Sequence, residues 1–170
     1  MLIGPFVPYP RVVGSKRAFL WVLVDDYSRL LVHGRWQPDQ NTRAGQDVLR
    51  AAIQRRGLPE QLLVENGAPY SDAALQRSLA VLGIRLIHSR PYRPQSRGKQ
   101  ERLPRYTRER FLLEAEAQGI ASFQQLNDRF TAWAEQVCNT RVHAETGQTP
   151  IQRFISQPGS TPRRRTVTAA

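Results

Sequence analysis

Ala18-Phe-Leu-Trp-Val-Leu-Val24 is the longest uninterrupted apolar run in the 170-residue chain. It has the length of a strand, far below the ~20 residues of a membrane-spanning helix. A run that is apolar at every position has no solvent face. It must be buried on both sides, which requires layers packed above and below it. It ends in the polar cluster Asp25-Asp26-Tyr27-Ser28-Arg29, and Leu30 to Trp36 reads as the returning antiparallel strand of a hairpin.

The rest of the chain supplies the covering layers. Ala44, Val48, Leu49, Ala52 and Ile53 recur at helical spacing, and Gly57 with Pro59 stops that helix. Gln61 to Val64 is a short strand ending at Glu65-Asn66-Gly67, a sharp turn signal. Ser71 is the expected cap of a second helix whose face is Leu75, Leu79 and Leu82. Ile84 to His88 is another strand, Ser89 to Gly98 a loop, and a helix is expected from near Gly98. Ser122 and Gln125 form a capping-box pattern ahead of the stripe Phe123, Leu126, Phe130, Trp133 and Val137. Residues 1 to 17, broken by Pro5, Pro8, Pro10 and Gly14, read as extended or loop. A hairpin followed by strand–helix alternation implies an α/β domain with a mixed sheet and helices on both faces.

Charge indicates the partner. Lys plus Arg number 25 against 14 Asp plus Glu, a net charge of +11. That favours a polyanion, nucleic acid ahead of a membrane surface. Nearly all the basic residues are Arg, which suits paired phosphate contacts but equally fits a GC-rich coding sequence. A single Cys, Cys138, excludes a disulfide framework and a Cys-based zinc site. With no secretory pattern, a soluble cytoplasmic protein with no membrane partner is the expectation.

Acidic residues fall at strand ends: Glu65 after one strand, Asp25 and Asp26 after another, with Glu101 in an expected helix. Ligands collect at the carboxyl ends of strands in such sheets. Carboxylates gathered in a basic protein call for a bridging divalent cation. Read singly, Asp25 and Asp26 also fit a hairpin turn, and Glu65 and Glu101 fit solvated surface acids.

Two longer segments decide between these readings. Gly57-Leu-Pro-Glu-Gln-Leu-Leu-Val-Glu-Asn-Gly67 and His88-Ser-Arg-Pro-Tyr-Arg-Pro-Gln-Ser-Arg-Gly-Lys-Gln-Glu-Arg102 place 35 residues between Glu65 and Glu101. They resemble the segments carrying the second and third acids of the Asp-Asp-35-Glu catalytic cores, found in insertion-sequence transposases and retroviral-type integrases. Leu23-Val-Asp-Asp-Tyr-Ser-Arg29 resembles the family's second strand and turn. Ala132-Trp133 and Thr146-Gly-Gln-Thr-Pro150 resemble its closing helix and Thr-Pro segment. The resemblance covers about residues 3 to 154.

The resemblance implies a ribonuclease H-like fold with a five-stranded mixed sheet, and DNA integration by metal-dependent phosphodiester cleavage and strand transfer. It makes Glu65 and Glu101 catalytic residues and ligands of Mg²⁺ or Mn²⁺, with Asn66, Asp25 and Asp26 as candidate supporting residues. Arg90, Arg93, Arg97, Lys99 and Arg102 are the expected DNA-binding cluster, and Tyr92 could stack on a base or plug the core. Assembly as a homo-oligomer on DNA is expected. The core is assigned to residues 1–156 and a disordered basic tail, with Arg163 to Arg165, to 157–170.

Three positions depart from the family pattern. The first Asp belongs on the first strand just ahead of a Gly-Pro, and here only Met1, Leu2 and Ile3 precede Gly4-Pro5. The first strand is therefore expected to be incomplete, with the missing acid upstream of Met1. Glu65 replaces the family's Asp and is one methylene longer. Pro104 falls in the expected helix of Glu101, where an interior Pro costs about 3 kcal/mol. Impaired activity is the expectation, with a non-catalytic DNA-binding or assembly remnant as the alternative. A stand-alone ribonuclease H-like nuclease is the least favoured reading.

Overall fold

The computed structural model describes residues 2–13, 16–64, 72–88 and 106–156. Strand β1 is Leu2–Val13, β2 Lys16–Val24 and β3 Leu31–Gln37, followed by helix α1, Thr42–Arg56. Then come β4 (Gln61–Val64), α2 (Ala73–Val81) and β5 (Arg85–His88). Three helical segments close the chain. α3 is a π-helical turn, Thr107–Leu112, running into Leu113–Ala117. α4 is Phe123–Trp133 continued by a second π-helical turn, Ala134–Cys138, and α5 is Pro150–Ile155.

The strands form one sheet in the order β3-β2-β1-β4-β5. β1–β2 and β2–β3 pair antiparallel, whereas β1–β4 and β4–β5 pair parallel. The segment read as extended or loop is thus a strand with pairing on both sides. Its three prolines hid it, because a Pro lacks the N–H that a central strand must donate. β1 accommodates them by irregularity. Its register with β2 shifts between Phe6 and Tyr9 and again between Tyr9 and Val12, where Pro8 and Pro10 lie. Among the described residues its pairing with β4 involves Leu2 and Ile3, ahead of all three prolines.

β2 alternates between two cores, as its uniform apolarity requires. Trp21 and Leu23 join Leu30, Val32, Val48, Leu49, Leu62, Val64, Leu75 and Leu79 beneath α1 and α2. Ala18, Leu20 and Val22 join Leu31, Trp36, Phe111, Leu126, Phe130 and Trp133 beneath α3 and α4. β3 would break the alternation, since Leu31 and Trp36 share a face five positions apart. A bulge resolves it: Leu23 pairs with His33 and Val24 with Leu31, so Val32 is the extra residue and turns to the opposite core.

Local signals set the helix ends. Asn41 caps α1 by accepting from the Ala44 amide at 2.9 Å. The cap of α2 is Asp72, not Ser71, and it accepts from the amides of Ala74 and Leu75 at 2.8 and 2.9 Å. Ser122 caps α4 through the Gln125 amide, while the Gln125 side chain returns to the amide of Ala121. The expected stripe on α4 holds as far as Trp133 and then fails. Val137 is 43% exposed, and Ala134 and Cys138 face the core in its place. The cause is the π-helical turn, in which the Asn139 amide donates to the Ala134 carbonyl five residues back. Such a turn holds about one residue more than the 3.6 of an α turn and re-phases everything after it. Helix α3 follows the segment where a helix is expected from near Gly98, and α5 has no counterpart in the sequence reading.

α4 lies very close to β3. A Cβ on Gly34 would collide with Phe130 Cε1 and stand 3.0 Å from Val22 Cγ1. Phe130 is fully buried and rests edge-on against Phe111 at 5.0 Å, so it has no room to retreat. Gly34→Ala is expected to destabilise the fold by about 2 kcal/mol through overpacking. Urea unfolding of G34A, and of G34A combined with Phe130→Leu, checks this: the second change should recover part of the loss.

Candidate active site

β4 and β5 run parallel, and their carboxyl ends lie side by side, with Val64 paired to His88. On its other side Val64 pairs with Ile3 of β1. Side-by-side carboxyl ends of parallel strands are where α/β sheets present ligand-binding groups. The two segments carrying the sequence-derived site follow directly from these ends in the chain. Glu65 and Asn66 come after Val64, and the stretch from Ser89 to Arg102 comes after His88. Glu65, Asn66, Tyr92, Glu101, the cluster Arg90, Arg93, Arg97, Lys99 and Arg102, and the basic tail all lie outside the described residues. So do Pro104 and the helix expected from Gly98.

Asp25 and Asp26 are described. Leu2 of β1 pairs with Val24 of β2 on one side and with Leu63 of β4 on the other, so the carboxyl end of β2 lies level with that of β4, across β1. Asp25 follows directly from that end of β2.

Their carboxylates have other partners. Asp25 Oδ2 accepts from the Ser28 amide at 2.8 Å and the Ser28 hydroxyl at 2.7 Å. The Asp25 amide donates to the Leu30 carbonyl at 2.8 Å, closing the hairpin. Asp26 pairs with the Arg29 guanidinium at 2.6 Å, and Arg29 holds a left-handed backbone with φ of 66°. Arg29 also approaches Glu145 at 3.7 Å. From α5, Arg153 Nε donates to the Tyr27 carbonyl at 2.9 Å while its guanidinium lies 4.1 Å from the Tyr27 ring centroid. The β2–β3 turn is thus fixed by the closing segment of the chain. Arg153 and Glu145 carry no periodic signal that a sequence reading could use. Among the described residues, no three His, Cys, Asp or Glu side chains gather in a way that could hold a metal ion.

A second charged cluster lies where α1 and α4 meet. Glu135 pairs with Arg56 at 2.8 Å and Arg55 at 3.1 Å. His33, on β3, is held below its ordinary value of 6.5 by burial first, then by Arg55 and Arg35, with Glu135 opposing. Burial, aided by Glu135, pushes the Cys138 thiol up to about 12, so it stays protonated and is no nucleophile.

The integrase core domain family model matches residues 2–94. A protein of Geobacillus stearothermophilus assigned as a transposase for insertion sequence element IS5376 is 34% identical over 68 residues, which are 40% of this chain and 16% of that protein. Among solved structures, a chain of the simian T-cell lymphotropic virus intasome, in complex with PP2A regulatory subunit B56 gamma, superposes with a TM-score of 0.77 at 18% identity. The match covers 99% of this chain and 59% of that one. The HTLV-2 integrase catalytic core domain in complex with magnesium gives 0.70 at 15% identity, over 89% of this chain and 92% of that one. The BIV integrase catalytic core domain gives 0.70 at 19% identity, over 91% of each chain. These likenesses show the ribonuclease H-like fold of integrase catalytic cores.

Asp25→Ala is expected to cost about 1–2 kcal/mol, as loss of a capping carboxylate does. It should leave any Mg²⁺-induced shift in melting temperature unchanged, and thermal melts with and without Mg²⁺ measure both. For His33, the lowered folded value means that the unfolded chain takes up the proton first. Stability is full above 6.5, falls as pH drops from 6.5 toward the folded value, and levels off below it. Urea midpoints across that window should fall for the wild-type chain and flatten in His33→Gln.

Proposed function

The chain belongs to the integrase core domain family, and from that premise we propose that it is the catalytic core of a DNA strand transferase. Its reaction is metal-dependent cleavage of a phosphodiester and joining of the resulting 3′ end to a second strand. The observation that carries this reading is the family match over residues 2–94 combined with an acid immediately after β4 and another after a 35-residue interval, Glu65 and Glu101.

Glu65 and Glu101 are the residues that would hold the cation. An all-oxygen carboxylate set suits hard ions such as Mg²⁺ and Mn²⁺, and the HTLV-2 core was solved with magnesium. When bound, the cation supplies charge neutralisation at the reacting phosphate. The remaining work falls to the protein. Arg90, Arg93, Arg97, Lys99 and Arg102 hold the DNA backbone through charge-assisted contacts to phosphate oxygens. The net charge of +11 draws the polyanion in. Asn66-Gly67, directly after the first ligand in sequence, is a pair of residues that favours a turn. Residues 1–156 form the core, 157–170 add a basic tail, and copies assemble as a homo-oligomer on the DNA.

Glu65 limits the rate. A carboxylate carried on one more methylene displaces its oxygens by about 1 Å, enough to cost roughly 100-fold. Cleavage and joining of a labelled duplex carrying element ends, with a DNA-recognition domain supplied, tests the proposal. The expected outcome is weak activity in Mn²⁺ and less in Mg²⁺. Glu65→Asp should raise it by roughly 10- to 100-fold. Glu101→Gln should abolish it. Metal-dependent turnover that survives Glu101→Gln would overturn the assignment.

A further inference from the structure

β3 stands at the end of the sheet order, so among the described residues one side of its backbone has no strand beside it. An edge of this kind is a template for another chain. Here it is met at two points by side chains of α4. Asn139 accepts from the Leu31 amide at 2.9 Å through Oδ1 and donates to the Leu31 carbonyl at 3.1 Å through Nδ2. Asn127 does the same at Trp36, accepting from the amide at 2.7 Å and donating to the carbonyl at 3.0 Å. Each carboxamide offers one acceptor and one donor to a single residue's N–H and C=O, which is the pairing a neighbouring strand would offer.

The spacing of the two amides is a fitted one. Asn127 and Asn139 are twelve positions apart, about 3.3 turns of an α-helix, which would leave them roughly a third of a turn out of phase. The π-helical turn Ala134–Cys138 absorbs one residue. The remaining eleven make about 3.1 turns and return both amides to one face, about 16 Å apart. Leu31 to Trp36, with its bulge, spans about 14–17 Å. Between these points the exposed Arg35 places a charge on the same strand, a second device that discourages strand pairing.

We propose that Asn127 and Asn139 act as a surrogate strand that closes the β3 edge against a second copy of this chain. Copies would otherwise pair edge to edge through β3. The closure confines association between copies to other surfaces.

The test uses the full chain with Asn127→Ala, Asn139→Ala and the double change. Amide exchange is followed at Leu31 and Trp36, with mass by light scattering over a concentration series. Asn127→Ala should speed exchange at Trp36 by at least about tenfold and leave Leu31 protected, and Asn139→Ala should do the reverse. The double variant should gain concentration-dependent mass beyond the wild-type chain, with an infrared signature of intermolecular strands. A folded double variant whose two amides exchange freely while its mass follows the wild type overturns the proposal. If the double variant does not fold, Asn127→Ala decides, since its side chain is only partly buried. New strand-mediated association then supports the closure, and unchanged mass with an exchanging Trp36 amide overturns it.

Discussion

Burial of β2 on both faces is the constraint to which the other elements answer. A strand carrying Trp21 and Leu23 on one side and Leu20 and Val22 on the other cannot exist at a water interface. At roughly 1.5–3 kcal/mol for each large apolar side chain removed from water, covering only one face would forgo half the driving force. α1 and α2 cover one face and α3 and α4 the other. The two layers are also tied together around the β3 edge, where Glu135 of α4 meets Arg55 and Arg56 of α1. The parallel strand ends at Val64 and His88 are held at a fixed lateral spacing because the sheet beneath them is clamped from both sides.

The acids in the described part of this cationic chain have mostly local duties. Asp25 closes a hairpin, Asp72 caps α2, Asp26 restrains Arg29 and Glu135 pairs two arginines. Exposed pairs of this kind contribute about 0–1 kcal/mol each, so their effect is positional more than energetic. Acids engaged in this way are poor candidates for cation binding. Glu65 and Glu101, on which the proposed function rests, lie outside the described residues.

Much of this architecture was legible in the sequence, and the failures have physical causes. β2, β4 and the periodic stretch of α1 were readable because burial on one or two faces writes its period directly into residue order. β1 was not, because its prolines contradict a central strand and only bulges and one-sided pairing reconcile them. Asp25 and Asp26 were placed at a strand end correctly. That this end lies level with the end of β4, across β1, is a property of topology and leaves no local trace. The Asn127 and Asn139 contacts were invisible for a related reason. A polar residue on a helix reads as solvent-facing until the strand edge it satisfies is known. The acid pair and the basic cluster were legible only through their order and interval.

The π-helical turn in α4 gives that helix two phases. Before it, side chains are keyed to the face of the sheet through Leu126, Phe130 and Trp133; after it, Asn139 is keyed to the edge. Residue identities on either side can drift separately so long as each part keeps its own contacts. The residue count and the turn type between them are coupled. Tightening 134–138 to an ordinary α turn with no residue lost would swing everything beyond it by about 100°. The Asn139 amide would leave Leu31, and with it the Asn139 carbonyl that accepts from Ile151 and seats α5. Losing one residue together with the π turn would keep the phase, so related chains should carry both the extra residue and the turn, or neither.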